Sequence, residues 1–102
     1  MLQTNKINDI FSIRYTQSAG LITQKANDGL IIVPISDQLK HAKSIVALKQ
    51  VGAFIWEQFN GQNTVADISE LISQHYDIDQ VTASNDLLEF IESLDNLITP
   101  LN

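Results

Sequence analysis

Hydrophobic and polar positions change their period along this chain. Up to residue 48, short β-branched and aromatic runs are broken by turn residues; from residue 50, apolar residues recur every three to four positions. Ile10–Thr16 is compatible with a strand, and Gln17–Gly20 is a turn signal. Leu21–Ala26 reads as a weak strand and Leu30–Ile35 as a stronger one. Between them Asn27-Asp28-Gly29 predicts a hairpin turn, since these residues tolerate positive φ. Pro34 has no N–H, which places it at a strand end or on an edge. Ser36–Ala42 is a polar loop, and Ser44–Leu48 predicts a third strand.

Three helices follow. Val51, Phe54, Ile55 and Phe59 share one face of a helix over Gln50–Phe59, which Asn60-Gly61 should close through a left-handed glycine. Thr64 with Asp67 three residues later predicts a capping box. Val65, Ile68, Leu71, Ile72 and Tyr76 then form an apolar stripe. Asp79 is the expected N-cap of a third helix running to about Asp95. Its wide stripe is Ala83, Leu87, Leu88, Phe90, Ile91 and Leu94, with Asn96 suited to the left-handed position after it. The order predicts an α+β fold of the winged helix-turn-helix kind: a small three-stranded antiparallel sheet followed by three helices. Residues 1–20 read as an N-terminal extension holding a further strand, and residues 21–102 as the domain.

Composition narrows the function. The chain of 102 residues has no cysteine, so disulfides and thiolate chemistry are excluded. The N-terminus does not resemble a signal peptide, and no apolar run approaches the roughly 20 residues that span a bilayer. A cytoplasmic protein without membrane contact is expected. Charge is lopsided. All six Lys and Arg residues lie in residues 1–50 beside three acids, whereas residues 51–102 hold nine acids and neither Lys nor Arg. Such a helical half is a poor match for phosphate backbones, so nucleic acid is not an expected partner. It reads either as a solvated face or as a surface for a neutral or basic partner.

Candidate chemistry is sparse. His41 and His75 are far apart, and no helix places two metal ligands at a spacing that includes histidine. Asp86, Glu89, Glu92 and Asp95 recur at the spacing of a wet helix face. No nucleophile elbow or phosphate loop is present. No catalytic residue, metal or cofactor is therefore expected. Trp56 is expected as a buried anchor between the first helix and the sheet, although its position beside Ile55 also allows an exposed recognition residue. Lys40, His41, Lys43 and Lys49 cluster around the third strand. They serve either as charged protection of an edge or as the rim of an edge that takes up an extended acidic peptide.

Val33-Pro34, the run Ile45–Trp56, Gly61, Thr64, Ile68, Tyr76, Asp86, Phe90-Ile91, Leu94 and Leu97-Ile98 resemble the PqqD family in order and spacing over roughly residues 21–98. These small proteins are named for coenzyme PQQ synthesis protein D. The resemblance implies a winged helix and a peptide chaperone, or RiPP recognition element. Such a module binds the leader of a ribosomally made precursor peptide and delivers it to a modifying enzyme, in the family often a radical SAM enzyme. The leader adds as a strand beside the third strand, in the groove against the third helix. Carried over, the implied peptide-binding residues are Lys43, Ser44, Ile45, Val46, Ala47 and Leu48 on the strand, with Asn85, Leu88, Glu89 and Glu92 on the helix. If Val46 and Leu48 point inward, Ile45 and Ala47 take the other face.

Three departures stand out. The family usually carries Asn before the first helix, where Lys49 stands here; lysine cannot accept the helix N–H bonds, a loss of about 1 kcal/mol. Asn96 replaces a frequent glycine, and residues 1–20 exceed the usual family start. The reading in view is a non-catalytic leader-peptide module, monomeric or homodimeric. Its rivals are a docking or self-associating subunit and, against the charge, a winged-helix DNA binder.

Overall fold

The computed structural model describes residues 10–35 and 45–101. The expected polar loop, together with Lys40, His41, Lys43 and Ser44, lies outside the described residues. A helical turn at Ile10–Ser12 leads into strand β1, Arg14–Gln17. Strands β2 (Leu21–Ala26), β3 (Gly29–Pro34) and β4 (Val46–Lys49) form an antiparallel sheet in the order β2-β3-β4. Helix α1 spans Gln50–Gln58, β5 Asn60–Thr64, α2 Val65–Tyr76, α3 Gln80–Leu94 and β6 Ile98–Leu101. This is the expected α+β arrangement of a three-stranded antiparallel sheet and three helices.

The first sheet has a simple register. Leu21 faces Pro34 and Ala26 faces Gly29; Ile32 faces Val46 and Gly29 faces Lys49. The β2–β3 hairpin turns on Asn27 and Asp28, but neither takes a positive φ, so the turn is not of the primed type that the sequence suggests. Gly29 is required for a different reason: a Cβ there would overlap the carbonyl oxygen of Leu48 across the sheet. Leu30 and Ile32 enter the core, and Val46 and Leu48 pack against it half-buried.

The helices close over that face. Trp56 is 1% exposed, so the tryptophan is the buried anchor. The buried residues of α1 are Ile55 and Trp56, followed by Phe59, whereas Val51 is 46% exposed. The helix is thus rotated toward Trp56 relative to the face its periodicity predicts. Helix α2 buries Val65, Ile68, Ser69 and Ile72, and Leu71 of the expected stripe is exposed. Ser69 keeps its hydroxyl satisfied through Gln80 and Ser84 of α3. Helix α3 buries Ala83, Leu87, Ile91 and Leu94, with Leu88 and Phe90 half-buried on its flanks.

A second antiparallel sheet, in the order β5-β1-β6, was not anticipated beyond its first strand. Arg14–Gln17 pairs with Ile98–Leu101 on one side and, through an irregular register, with Asn60–Thr64 on the other. Gly61 therefore sits inside β5, where it has φ +83°, rather than capping α1. After α3 the positive φ falls on Asp95 (φ 50°, ψ −119°), not on Asn96. Helix α2 ends on Asp77 in the left-handed helical region (φ 55°, ψ 49°).

Candidate functional site

Strand β4 closes one end of its sheet. It pairs with β3 only; among the described residues no strand lies along its outer edge, and β1 is engaged in the other sheet. The hydrogen-bonding direction of each residue follows from the register. Ile35 N–H donates to Gly20 O at 2.8 Å, which marks that pair as hydrogen-bonded between β2 and β3. Alternation along β3 then directs Ile31 and Val33 toward β2, and Leu30 and Ile32 toward β4. Opposite them, Val46 and Leu48 bond to β3. Ala47 lies between and turns its N–H and C=O outward from the sheet.

The same argument separates this edge from that of β6. Ser18 N–H donates to Leu97 O at 3.0 Å, so Thr16 and Thr99 form the next bonded pair, and Tyr15 and Pro100 do not bond to each other. The nitrogen of Pro100 consequently faces the outer edge of β6, where proline offers no donor. That edge is blunted, as edges commonly are. The β4 edge is not.

Beside β4 the chain supplies an apolar wall. A Cβ at Gly52 would lie 3.5 Å from Leu48 Cβ and 3.5 Å from Phe90 Cε1, so β4, α1 and α3 converge there. The side chains of Val46 and Leu48 point to this inner face; Ile45, 62% exposed, and Ala47 point to the outer one. This is the alternation the sequence predicts. Lys49 is exposed at the end of the strand, with extended backbone and no side-chain capping bond.

On α3 the placement is uneven. Phe90 is on the flank toward Leu48, shared with Asp86 and Ser93 at helical spacing. Leu88 is two residues away, about 200° around the helix. Its flank also carries Ser84, which hydrogen-bonds Ser69 of α2 at 2.7 Å. Asn85 and Glu92 fall to that side and are exposed; Glu89, also exposed, lies between the flanks on the solvent side. Sequence reading missed Gly52 and Phe90. Phe90 was visible as one more member of a wide stripe, and only the folded contact with Leu48 distinguishes it.

No other arrangement of reactive groups competes. Among the described residues no group of three or more His, Cys, Asp or Glu side chains could hold a metal ion. His75 is stacked on Phe54, ring centroids 4.3 Å apart, with Tyr76 edge-on to both. Asp67 is held below the ordinary carboxylate value by the Thr64 N–H and hydroxyl, and Asp79 by the Thr82 hydroxyl and N–H. Both are helix caps. No helix among the described residues is long and apolar enough to cross a membrane.

Fold and edge together define a winged-helix module in which the outer edge of β4, unpaired among the described residues, lies beside an apolar helix flank. A family model described as "Coenzyme PQQ synthesis protein D (PqqD)" matches residues 37–97, more than half of the chain. The chain belongs to the PqqD family. No curated protein sequence matches it. Two solved structures share its fold. One, "TbiB1 in Complex with the TbiA(beta) Leader Peptide", superposes with a TM-score of 0.69 at 21% identity, covering 81% of this chain and 93% of that one. The other, "Lasso peptide synthetase B1 complexed with the leader peptide", gives a TM-score of 0.68 at 14% identity and covers 87% of this chain and 99% of that one.

Proposed function

We propose that this protein is a non-catalytic recognition module that captures the leader of a ribosomally made precursor peptide and presents it to a modifying enzyme. The cytoplasm, where a precursor leaves the ribosome, is its place of work. The observation that carries the reading is the unpaired β4 edge, with Ala47 turned outward and Phe90 beside it. An extended peptide laid along Lys43–Leu48 gains main-chain hydrogen bonds from that edge. Its alternate side chains then meet the inner face formed by Val46, Leu48 and Phe90. On the helix side, Asp86 and Ser93 flank Phe90 along the groove, whereas Asn85, Leu88, Glu89 and Glu92 lie round the helix from it and stand outside the groove; Lys43 and Lys49 bracket the peptide with positive charge. Family membership and two structural relatives solved in complex with leader peptides support the same reading.

The edge geometry decides how to test it. Val46→Pro would break the β3–β4 ladder, because Val46 bonds inward. Ala47→Pro removes only the outward donor. Isothermal titration with the leader peptides encoded beside the gene should show binding by the parent protein. Ala47→Pro should weaken it at least about tenfold, the order expected for losing one well-placed hydrogen bond. An unchanged thermal midpoint would show that the fold survives. Equal affinity of Ala47→Pro and parent would remove the β4 edge from the site.

A further inference from the structure

The β2-β3-β4 sheet has a second face, which no helix among the described residues covers. Residues directly opposite one another share a face, so Ile22 joins Val33, and Ile31 joins Ala47. Extending the β3–β4 register by one step past Ile32 and Val46 sets Ile45 against Val33. Ile35, bonded to Gly20, continues the same row. Ile22 is 51% exposed, and Ile35 and Ile45 are each 62% exposed. Three of the most exposed large hydrophobic side chains thus stand on one side of one sheet. Isolated exposed apolar residues need no explanation, but a contiguous group of this kind marks an interaction surface.

Charge indicates the occupant. The strands and their continuations, residues 21–26, 29–35 and 45–49, contain no Asp or Glu, and their only charges are Lys25 and Lys49. Lys25 faces Leu30, on the inner side. The outer face is therefore apolar apart from Gln24, with one cation at its end, on a protein of net charge −6. Acids line all three helices: Glu57 on α1, Asp67 and Glu70 on α2, and Asp86, Glu89 and Glu92 on α3. Two copies of this chain repel one another through their helices. Packed face to face through this sheet, they approach without bringing those helices together. A basic partner would be drawn to the helices instead.

We infer that the outer face of the β2-β3-β4 sheet is a homodimer interface. Two such faces pack as the sheets of a β-sandwich do, burying Ile22, Val33, Ile35 and Ile45 of each protomer about a two-fold axis. Ile45 and Ala47 contribute their side chains perpendicular to the sheet, whereas the outward N–H of Ala47 lies in its plane. Dimerisation and use of the strand edge are thus compatible, and the inference does not rest on leader binding.

Sedimentation velocity of the full chain without any peptide, from about 1 to about 200 µM, tests it over the range of ordinary protein association. A species of twice 11.4 kDa should grow with concentration. Ile22→Lys and Ile35→Glu, at solvent-exposed positions, should each weaken dimerisation at least about tenfold with an unchanged circular dichroism spectrum. Val81→Lys, which alters an equally exposed side chain on α3, should leave it intact. Raising the salt to about 0.5 M should leave the dimer intact, because screening costs an apolar contact nothing. A monomer at every concentration, as when another partner or another part of the chain occupies this face, overturns the inference. So does a dimer that survives both face substitutions or dissociates in salt.

Discussion

Lys49 begins α1 with extended backbone (φ −89°, ψ −175°) and contributes no side-chain hydrogen bond to the helix. The first N–H groups of an α-helix have no intrahelical partner, and an ammonium group cannot accept from them. The missing cap was legible in the sequence because capping depends on one residue and its next three neighbours. Lys49→Asn should supply the acceptor and stabilise the protein by about 1 kcal/mol. In a domain of this size that raises the thermal midpoint by about 4–8 °C. A midpoint unchanged or lowered in a calorimetric scan would show that lysine's packing or charge outweighs the cap. Other residue-scale readings failed where the backbone conformation is set by distant strands. Gly61 has the positive φ that a helix-closing glycine would have, yet it is shaped by pairing with β1. Asp95 rather than Asn96 takes the positive φ before β6, where Ser18 hydroxyl donates to Asn96 O at 2.6 Å.

Helices were read well because their signals are local. Thr64 and Asp67 form the full capping box, each side chain accepting from the other's backbone N–H at 3.1 and 3.0 Å. Asp79 accepts from Thr82 N–H at 3.1 Å and from its hydroxyl at 2.7 Å. These bonds favour the ionised carboxylates and hold both below the ordinary value of 3.8. A carboxylate depressed on folding stabilises the native state above its unfolded value. That contribution disappears as pH falls below 3.8 through the folded value. Asp67→Ala/Asp79→Ala should therefore have a lower urea midpoint than the parent at neutral pH, and the gap should close on acidification below about pH 4. A gap of constant size down to about pH 2 would mean that ionisation of the caps contributes nothing. Strands fared differently. β5 is Asn-Gly-Gln-Asn-Thr, which carries turn residues and no apolar alternation. β6 includes a proline. Neither has the composition of a strand; both exist because β1, more than 40 residues away in sequence from each, offers them a partner. The candidate groove divides in the same way. The alternation of Ile45–Leu48 could be read from the strand, but the meeting of Leu48 with Phe90 over Gly52 joins three elements and leaves no local trace.

At the scale of the whole molecule, β1 is the piece that ties the ends of the fold together. It is the central strand of its sheet, flanked by β5 and β6. Around it, Val65 N–H, at the start of α2, donates to Ile13 O at 2.9 Å. Gln17 Nε2 donates to Trp56 O at 3.0 Å, which anchors the end of α1. Tyr15 packs edge-on to the buried Phe59, ring centroids 6.1 Å apart. Sequence reading divides the chain at residue 20 into extension and domain; these contacts make the extension a test of that boundary. A chain starting at residue 21 leaves β5 and β6 without a shared partner and strips part of the cover from Phe59. At about 1 kcal/mol per lost internal hydrogen bond, and about 4–8 °C per kcal/mol, its thermal midpoint should drop by more than about 10 °C. Because the β4 edge belongs to the other sheet, leader affinity measured well below that midpoint should stay close to the parent's. An unchanged midpoint would make residues 1–20 an appendage to an autonomous domain. Loss of leader binding in a shortened chain that remains folded would show that the two sheets are mechanically coupled, with β1 helping to set the angle between α1 and the peptide edge.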